Sequence, residues 1–316
     1  MIQNASSSEP QTLVQAVRYF SNPQRCHDYL MSLKWPGGDL CCIDCGSTNV
    51  GQIKSRRLFQ CREKGCRRQF SIKVGTIFQD SPLGLDKWLI AVWMIANCRN
   101  GVSSCEIART LGIKQQSAWH VLHRVREAMK PRFNRRLQGA VETDETWVGG
   151  LVKHMHKDKA RSVMARSGYK GKALVQLFLE RGGEVRGQVI PKLTKRYVQP
   201  GVRQNVEAGS KLYTDSGSMY KGLDAHYDRE WVNHMFEYAR GSVHINNCEN
   251  FFCLLRRGLK GTYVAVRPDH LEAYVDEQAF RYSWRKESDW TRFDRLMHRV
   301  LGERLPYSQL TGGKKR

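Results

Sequence analysis

Four cysteines are the residues whose spacing points most directly to chemistry. Cys42-Ile43-Asp44-Cys45 is followed, with 15 residues between, by Cys61, and Cys66 comes after four more. Two close thiol pairs at this separation suit tetrahedral Zn²⁺, and Gly46 lets backbone N–H groups approach the sulfurs. Cys41 competes for the first position, but the two-residue gap to Cys45 favours Cys42. Between the pairs, residues 52–54 and 57–60 read as short antiparallel strands. The expected unit is a zinc ribbon around one structural ion, because a unit this small has no core without metal. Arg56, Arg57, Arg62, Lys64, Arg67 and Arg68 crowd it, a charge pattern suited to nucleic-acid phosphates.

Carboxylates form the second candidate. In a chain with 52 Lys and Arg against 30 Asp and Glu, acids placed on strands and at helix starts stand out. Residues 140–150 read as a strand bearing acids and ended by a Gly turn. Residues 211–217 read as a strand ending in Asp215, and residues 244–252 start an Asn-capped helix with Glu249 in its first turn. Three convergent carboxylates can hold two Mg²⁺ or Mn²⁺ ions about 3.5–4 Å apart for in-line displacement at phosphorus. Glu142 and Asp144 share a strand face and Glu145 adjoins them, so alternation leaves all three open.

The elements that must position these residues follow from pattern. Between the acidic strands lie residues 173–179 and 184–190, a hairpin by its Glu180-Arg181-Gly182-Gly183 turn. The order strand, hairpin, helix, strand, helix suits an RNase H-like α/β fold. Upstream, residues 11–35 and 86–130 read as helical. Ser103 and Glu106 form a capping box, Gly112 makes a turn, and a further helix begins at Lys114 or Gln115. This is the helix-turn-helix pattern, whose second helix offers Lys114, Gln115, Gln116, Ser117, His120, His123 and Arg124 to DNA. The expected architecture is multidomain α+β. It divides into a helical segment (1–35), the ribbon (36–80), the helix-turn-helix (81–136), the catalytic domain (137–290) and a basic tail (291–316).

A formal net charge of +22 calls for an anionic partner, with nucleic acid first and an anionic membrane surface second. The longest apolar run, Trp88–Ala96, is far short of the roughly 20 residues that cross a bilayer. No secretory pattern opens the chain, and the six remaining cysteines are scattered as free thiols of a cytoplasmic protein would be. The insert 153–172 carries seven Lys or Arg against one Asp, which suits a DNA groove. Cys248 and Cys253 read as buried thiols.

These residues carry a resemblance. The chain resembles the bacterial insertion-sequence transposases of the DDE class, in the zinc-ribbon family related to Merlin elements. The matching stretches are residues 35–38, 70–78, 142–150, 213–215, 244–251, 256–263 and 270–282, in the family's order. The resemblance implies a catalytic triad of Asp144, Asp215 and Glu249 holding two Mg²⁺ or Mn²⁺. It also implies that Arg256, seven positions after Glu249, holds a DNA phosphate, with Lys260 beside it, and that His244 and Asn246 are accessory. Asn250 stands where the family usually has Gly, and Cys248 where Val or Ile is common. The implied activity is binding of the element's terminal inverted repeats, metal-dependent cleavage and strand transfer into target DNA. The implied setting is a nucleoid-associated homodimer or higher oligomer on double-stranded DNA. A DNA-binding regulator and a nuclease without strand transfer are the alternatives.

Overall fold

A computed structural model describes residues 9–132, 135–149, 157–158, 161, 172–233, 239–264 and 266–312. The chain divides into two compact units, residues 1–129 with 286–316, and residues 130–285. The break after residue 129 falls a few residues before the expected boundary at 136–137. The expected segments 1–35, 36–80 and 81–136 are otherwise parts of one unit.

That first unit is organised around α3 (Leu85–Asn97), in which Trp88 to Ala96 are all buried. Such a helix is apolar all round and must be covered on several sides. α1 (Leu13–Phe20), α2 (Pro23–Lys34) and α5 (Gln115–Met129) pack on it. So does α9 (Asp289–Arg299), from the far end of the sequence. Residues from 291 onward were expected as a tail. Instead Phe293, Leu296 and Met297 are buried, with Phe293 5.4 Å from both the Phe20 and Trp93 rings. The basic residues of α9 lie on its other faces, so composition hid an amphipathic helix. Tyr29 fixes the register by donating its hydroxyl to Asp294 at 2.8 Å.

The ribbon sheet is β1 (Val50–Ile53), β2 (Leu58–Cys61) and β3 (Gln69–Ser71), antiparallel in that order. Phe59 and Phe70 pair across it with ring centres 5.5 Å apart, and Trp35 meets Phe59 edge-on. Farther along, α4 (Ser104–Leu111) opens on the expected Ser103–Glu106 capping box. It ends at Gly112, whose φ of 61° is the left-handed conformation that lets α5 start three residues later.

The second unit is a five-stranded sheet in the order β6-β5-β4-β7-β8. Its strands are β4 (Ala140–Val148), β5 (Ala173–Glu180), β6 (Val185–Ile190), β7 (Lys211–Asp215) and β8 (Asp228–Val232). β4, β5 and β6 run antiparallel, whereas β4, β7 and β8 run parallel. One face buries Val148, Val175, Leu177 and Tyr213 under α7 (Asn246–Gly258) and α8 (Leu271–Ser283). The other buries Val141, Leu174 and Phe178 under α6 (Lys195–Asn205). The predicted hairpin is β5–β6. Most of the basic insert 153–172 lies outside the described residues.

Candidate active site and metal centre

β4 is the central strand, and its alternation decides where its acids go. Glu142, Asp144 and Thr146 face α7. Glu145 takes the opposite face, where Tyr220 donates to it at 2.8 Å. The parallel register pairs Glu142 with Tyr213, and the same offset carried two residues on brings Asp215 beside Asp144. Asp144 Oδ1 accepts from the Glu145 N–H at 2.8 Å, and Asp215 Oδ1 accepts from the Gly217 N–H at 2.9 Å. Glu249 is exposed in the first turn of α7. Arg256, two turns on, donates to the Thr146 hydroxyl.

Burial raises the Asp144 carboxyl to about 7, and the charges of Asp215 and Glu249 push the same way while Arg256 opposes them. Three sequence-predicted acids from three elements, and the predicted Arg, therefore share one electrostatic site. Burial likewise raises Glu145 to about 8. The two acids that share a face of β4 differ in what the helix above gives them. Glu142 is fully buried and all its acceptor positions are spent. Oε1 accepts from Arg181 Nε and Asn247 Nδ2, both at 2.7 Å, and Oε2 accepts from the N–H groups of Asn247 at 3.0 Å and Cys248 at 3.2 Å. The expected Asn cap of α7 is thus replaced by a carboxylate from β4, since Ile245 at the cap position offers no side-chain acceptor.

His244 is held in the same cluster, its Nδ1 3.4 Å from Glu142 Oε1 and 3.1 Å from Arg181 Nη2. Asn246 opens α7 and is exposed, as is Lys260 just beyond that helix. Cys248 is buried as expected. Cys253 is exposed instead, because it falls on the helix face away from Phe252 and Leu255. Arg181, Asn247 and Thr146 were not singled out in the sequence. Their partners lie 39 to 110 positions away, so no local pattern marks them.

The raised carboxyls have a measurable consequence. In the unfolded chain they ionise near pH 4. In the folded chain Asp144 and Glu145 hold their protons up to about 7 and about 8. The stability tied to them is therefore full below about pH 4 and is lost as pH rises to those values. Between about pH 5 and 8 the melting temperature of cation-free wild type is expected to fall more steeply than that of Asp144→Asn. Equal slopes would remove Asp144 as a source.

The cysteine cluster is as spaced. The Sγ atoms of Cys42, Cys45, Cys61 and Cys66 lie within 4.8 Å of one another. Cys42–Cys66 and Cys45–Cys61 are 3.7 and 3.6 Å apart. A tetrahedron with zinc–sulfur bonds of about 2.3 Å has edges of about 3.7–3.8 Å, the length of these two sulfur pairs. Backbone N–H groups of Cys45 and Asp44 lower the Cys42 thiol to about 7, favouring the thiolate a metal takes. Cys41 is diverted to the Trp35 indole N–H at 3.3 Å. Among the described residues these cysteines are the one set of three or more His, Cys, Asp or Glu drawn this tightly.

Lys114, Gln115, Gln116 and Ser117 are exposed at the start of α5. Three other residues expected to reach DNA are turned inward instead. Arg124 is buried, donates to the Gln79 carbonyl and lies over the Trp88 ring at 5.3 Å. His120 is half-buried, 3.3 Å from the Leu305 carbonyl and edge-on to Tyr307, and burial holds it below its usual pKa. His123 is buried as well. Segments around residues 79 and 305 cover the α5 face that periodicity left polar. On the ribbon, Arg56, Arg57, Arg67 and Arg68 are exposed, Arg68 pairing with Asp44 at 3.3 Å.

Comparison with known proteins places this architecture among the transposases. Residues 21–69 match the transposase zinc-ribbon domain, and residues 136–283 match the ISXO2-like transposase domain. The chain thus carries both transposase-type domains, the zinc ribbon before the ISXO2-like domain. It is 27% identical over 273 residues to an uncharacterized protein in transposable element ISH50 of Halobacterium salinarum, covering 82% of this chain and 90% of that one. An uncharacterized transposase-like protein of Haemophilus influenzae is 27% identical over 96 residues, 30% of this chain and 77% of its own. Among the described residues no helix is long and apolar enough to cross a membrane.

Proposed function

We propose that the chain is a DDE transposase that binds the ends of its own element, cuts them and joins them to target DNA. The observation that carries this reading is the meeting of Asp144, Asp215 and Glu249 from β4, β7 and α7, close enough for the outer two to raise the central one. The sheet, with three antiparallel strands continued by two parallel ones under helices on both faces, supports an RNase H-like fold.

The donor set fits Mg²⁺ or Mn²⁺: Asp144, Asp215 and Glu249 are three hard carboxylates, with burial and the charges of the other two acting together on Asp144. Bound there, the ions would supply Lewis acidity at the phosphoryl oxygens and a lowered pKa for the attacking hydroxyl. Arg256, on the same helix as Glu249, would hold a non-bridging phosphate oxygen and line up the scissile bond. Hydrolysis and strand transfer are both attack by an oxygen nucleophile on a phosphodiester, so one site serves both. The α4–Gly112–α5 turn reads as a helix-turn-helix, with Lys114 to Ser117 and the ribbon arginines as its DNA contacts. The ribbon cysteines would hold one Zn²⁺. Bringing two element ends together calls for a dimer or higher assembly.

The test is a labelled DNA carrying the element's own end, incubated with the chain and Mg²⁺. Cleavage that leaves a 3′-hydroxyl, followed by joined products, is expected. Cleavage without joining would make the chain a nuclease, and end-specific binding without cleavage would make it a regulator.

A further inference from the structure

The carboxylate of Glu142 is fully buried beside the site and accepts four hydrogen bonds. Its four donors come from two places. Arg181 stands at the turn after β5, and Asn247 and Cys248 form the first turn of α7. Arg181 itself is fixed on every side. Nη1 donates to the Ser242 carbonyl at 2.8 Å, Nη2 donates to the His244 carbonyl at 2.9 Å, and the guanidinium lies 4.3 Å from the centre of the Tyr213 ring. Its own N–H donates to the Ala140 carbonyl at 2.9 Å. One ion pair thereby ties β4, the β5–β6 turn, the segment 242–244 and the start of α7.

The consequence lies in the spacing. Asp144 is two residues along β4 from Glu142, about 6.6 Å. Glu249 is two residues along α7 from Asn247, about 3 Å of rise. The joint between strand and helix is thus made one step behind the two acids that must face each other. We propose that Glu142 and Arg181 are positioning residues that set where Glu249 stands relative to Asp144, an inference that rests on the catalytic reading above. Asn247 extends the joint from the helix side.

The full chain is compared with Glu142→Gln, Arg181→Lys and Asn247→Ala. Single-turnover end cleavage, a Mn²⁺ titration of its rate, end binding and melting temperature are measured for each. Gln at 142 turns an N–H toward donors that need an acceptor. Lys at 181 keeps the charge but loses the fork. The cleavage rate of Glu142→Gln is expected to fall about a hundredfold, the scale of a small misplacement of reacting groups. The Mn²⁺ needed for half the maximal rate should rise about tenfold, with end binding within about twofold of wild type. Arg181→Lys and Asn247→Ala should move the Mn²⁺ midpoint the same way by less, and they carry the test if Glu142→Gln does not fold. Variants that melt lower but keep the wild-type Mn²⁺ midpoint and rate would overturn the proposal, leaving the joint merely structural. Should wild type itself not cleave, the catalytic reading fails. Calorimetric Mn²⁺ binding then decides the joint: weaker binding by Glu142→Gln supports it, and equal binding overturns it.

Discussion

Asp144→Asn is expected to lower end cleavage by at least about a thousandfold, the scale on which removing one member of a catalytic set acts. Asn keeps the shape of Asp and one of its oxygens, but it cannot carry the charge that two cations would share. Asp144 has the central place: Asp215 and Glu249 both act on it, and Arg256 partly offsets them. The same substitution removes the cost of ionising Asp144 where its carboxyl is desolvated and faces the charges of Asp215 and Glu249 in the cation-free chain. Melting temperature near pH 8 should therefore rise while activity collapses, and end binding should stay within about twofold of wild type. That combination separates a lost ligand from a damaged fold. A variant that cuts at a wild-type rate would remove Asp144 from the site and leave Glu145, with its proton-shifted carboxyl on the opposite face of β4, as the acid to examine.

Cys45→Ser is expected to abolish zinc binding and to unfold the ribbon with it. Structural zinc contributes about 10–16 kcal/mol in small thiolate domains, far more than three short strands and a few aromatic rings supply. The chain should carry one zinc per molecule by atomic absorption, and the variant none. Amides of residues 42–71 should lose their protection from hydrogen exchange. Those of β4, β5 and β7 should keep theirs, because the two units have separate cores. End binding should fall by more than about tenfold if the ribbon arginines touch DNA. A variant with full zinc content, or with a protected ribbon and no zinc, would refute the four-thiolate site.

The zinc ligands were legible because thiol spacing is local, and the distances among the sulfurs follow from a chain short enough to constrain them. Asp215 and Glu249 were legible as an acid at a strand end and an acid in a first helical turn. The choice on β4 was not, since Glu142 and Asp144 are equivalent by alternation. What distinguishes them is α7, more than 100 residues on, whose backbone N–H groups consume Glu142. Arg124 and His120 were misread for the same kind of reason. Periodicity marks a polar stripe on α5 but carries no sign that the Gln79 carbonyl and the segment at Leu305 cover it. The last helix was misread as a tail because its arginines dominate the composition while its three buried side chains are thinly spread.

The core of the first unit is assembled from both ends of the chain, with α9 completing the aromatic cluster of Phe20, Tyr29 and Trp93. During synthesis from the N-terminus, residues 130–285 have everything their own core needs before Phe293 is made. The helices and ribbon made first must wait for the helix made almost last. Order of manufacture and order of completion are thus reversed. Fragments ending before residue 289 hold a finished second unit but an unfinished first one, so on the proposed reading prematurely terminated chains would make poor competitors for the element's ends.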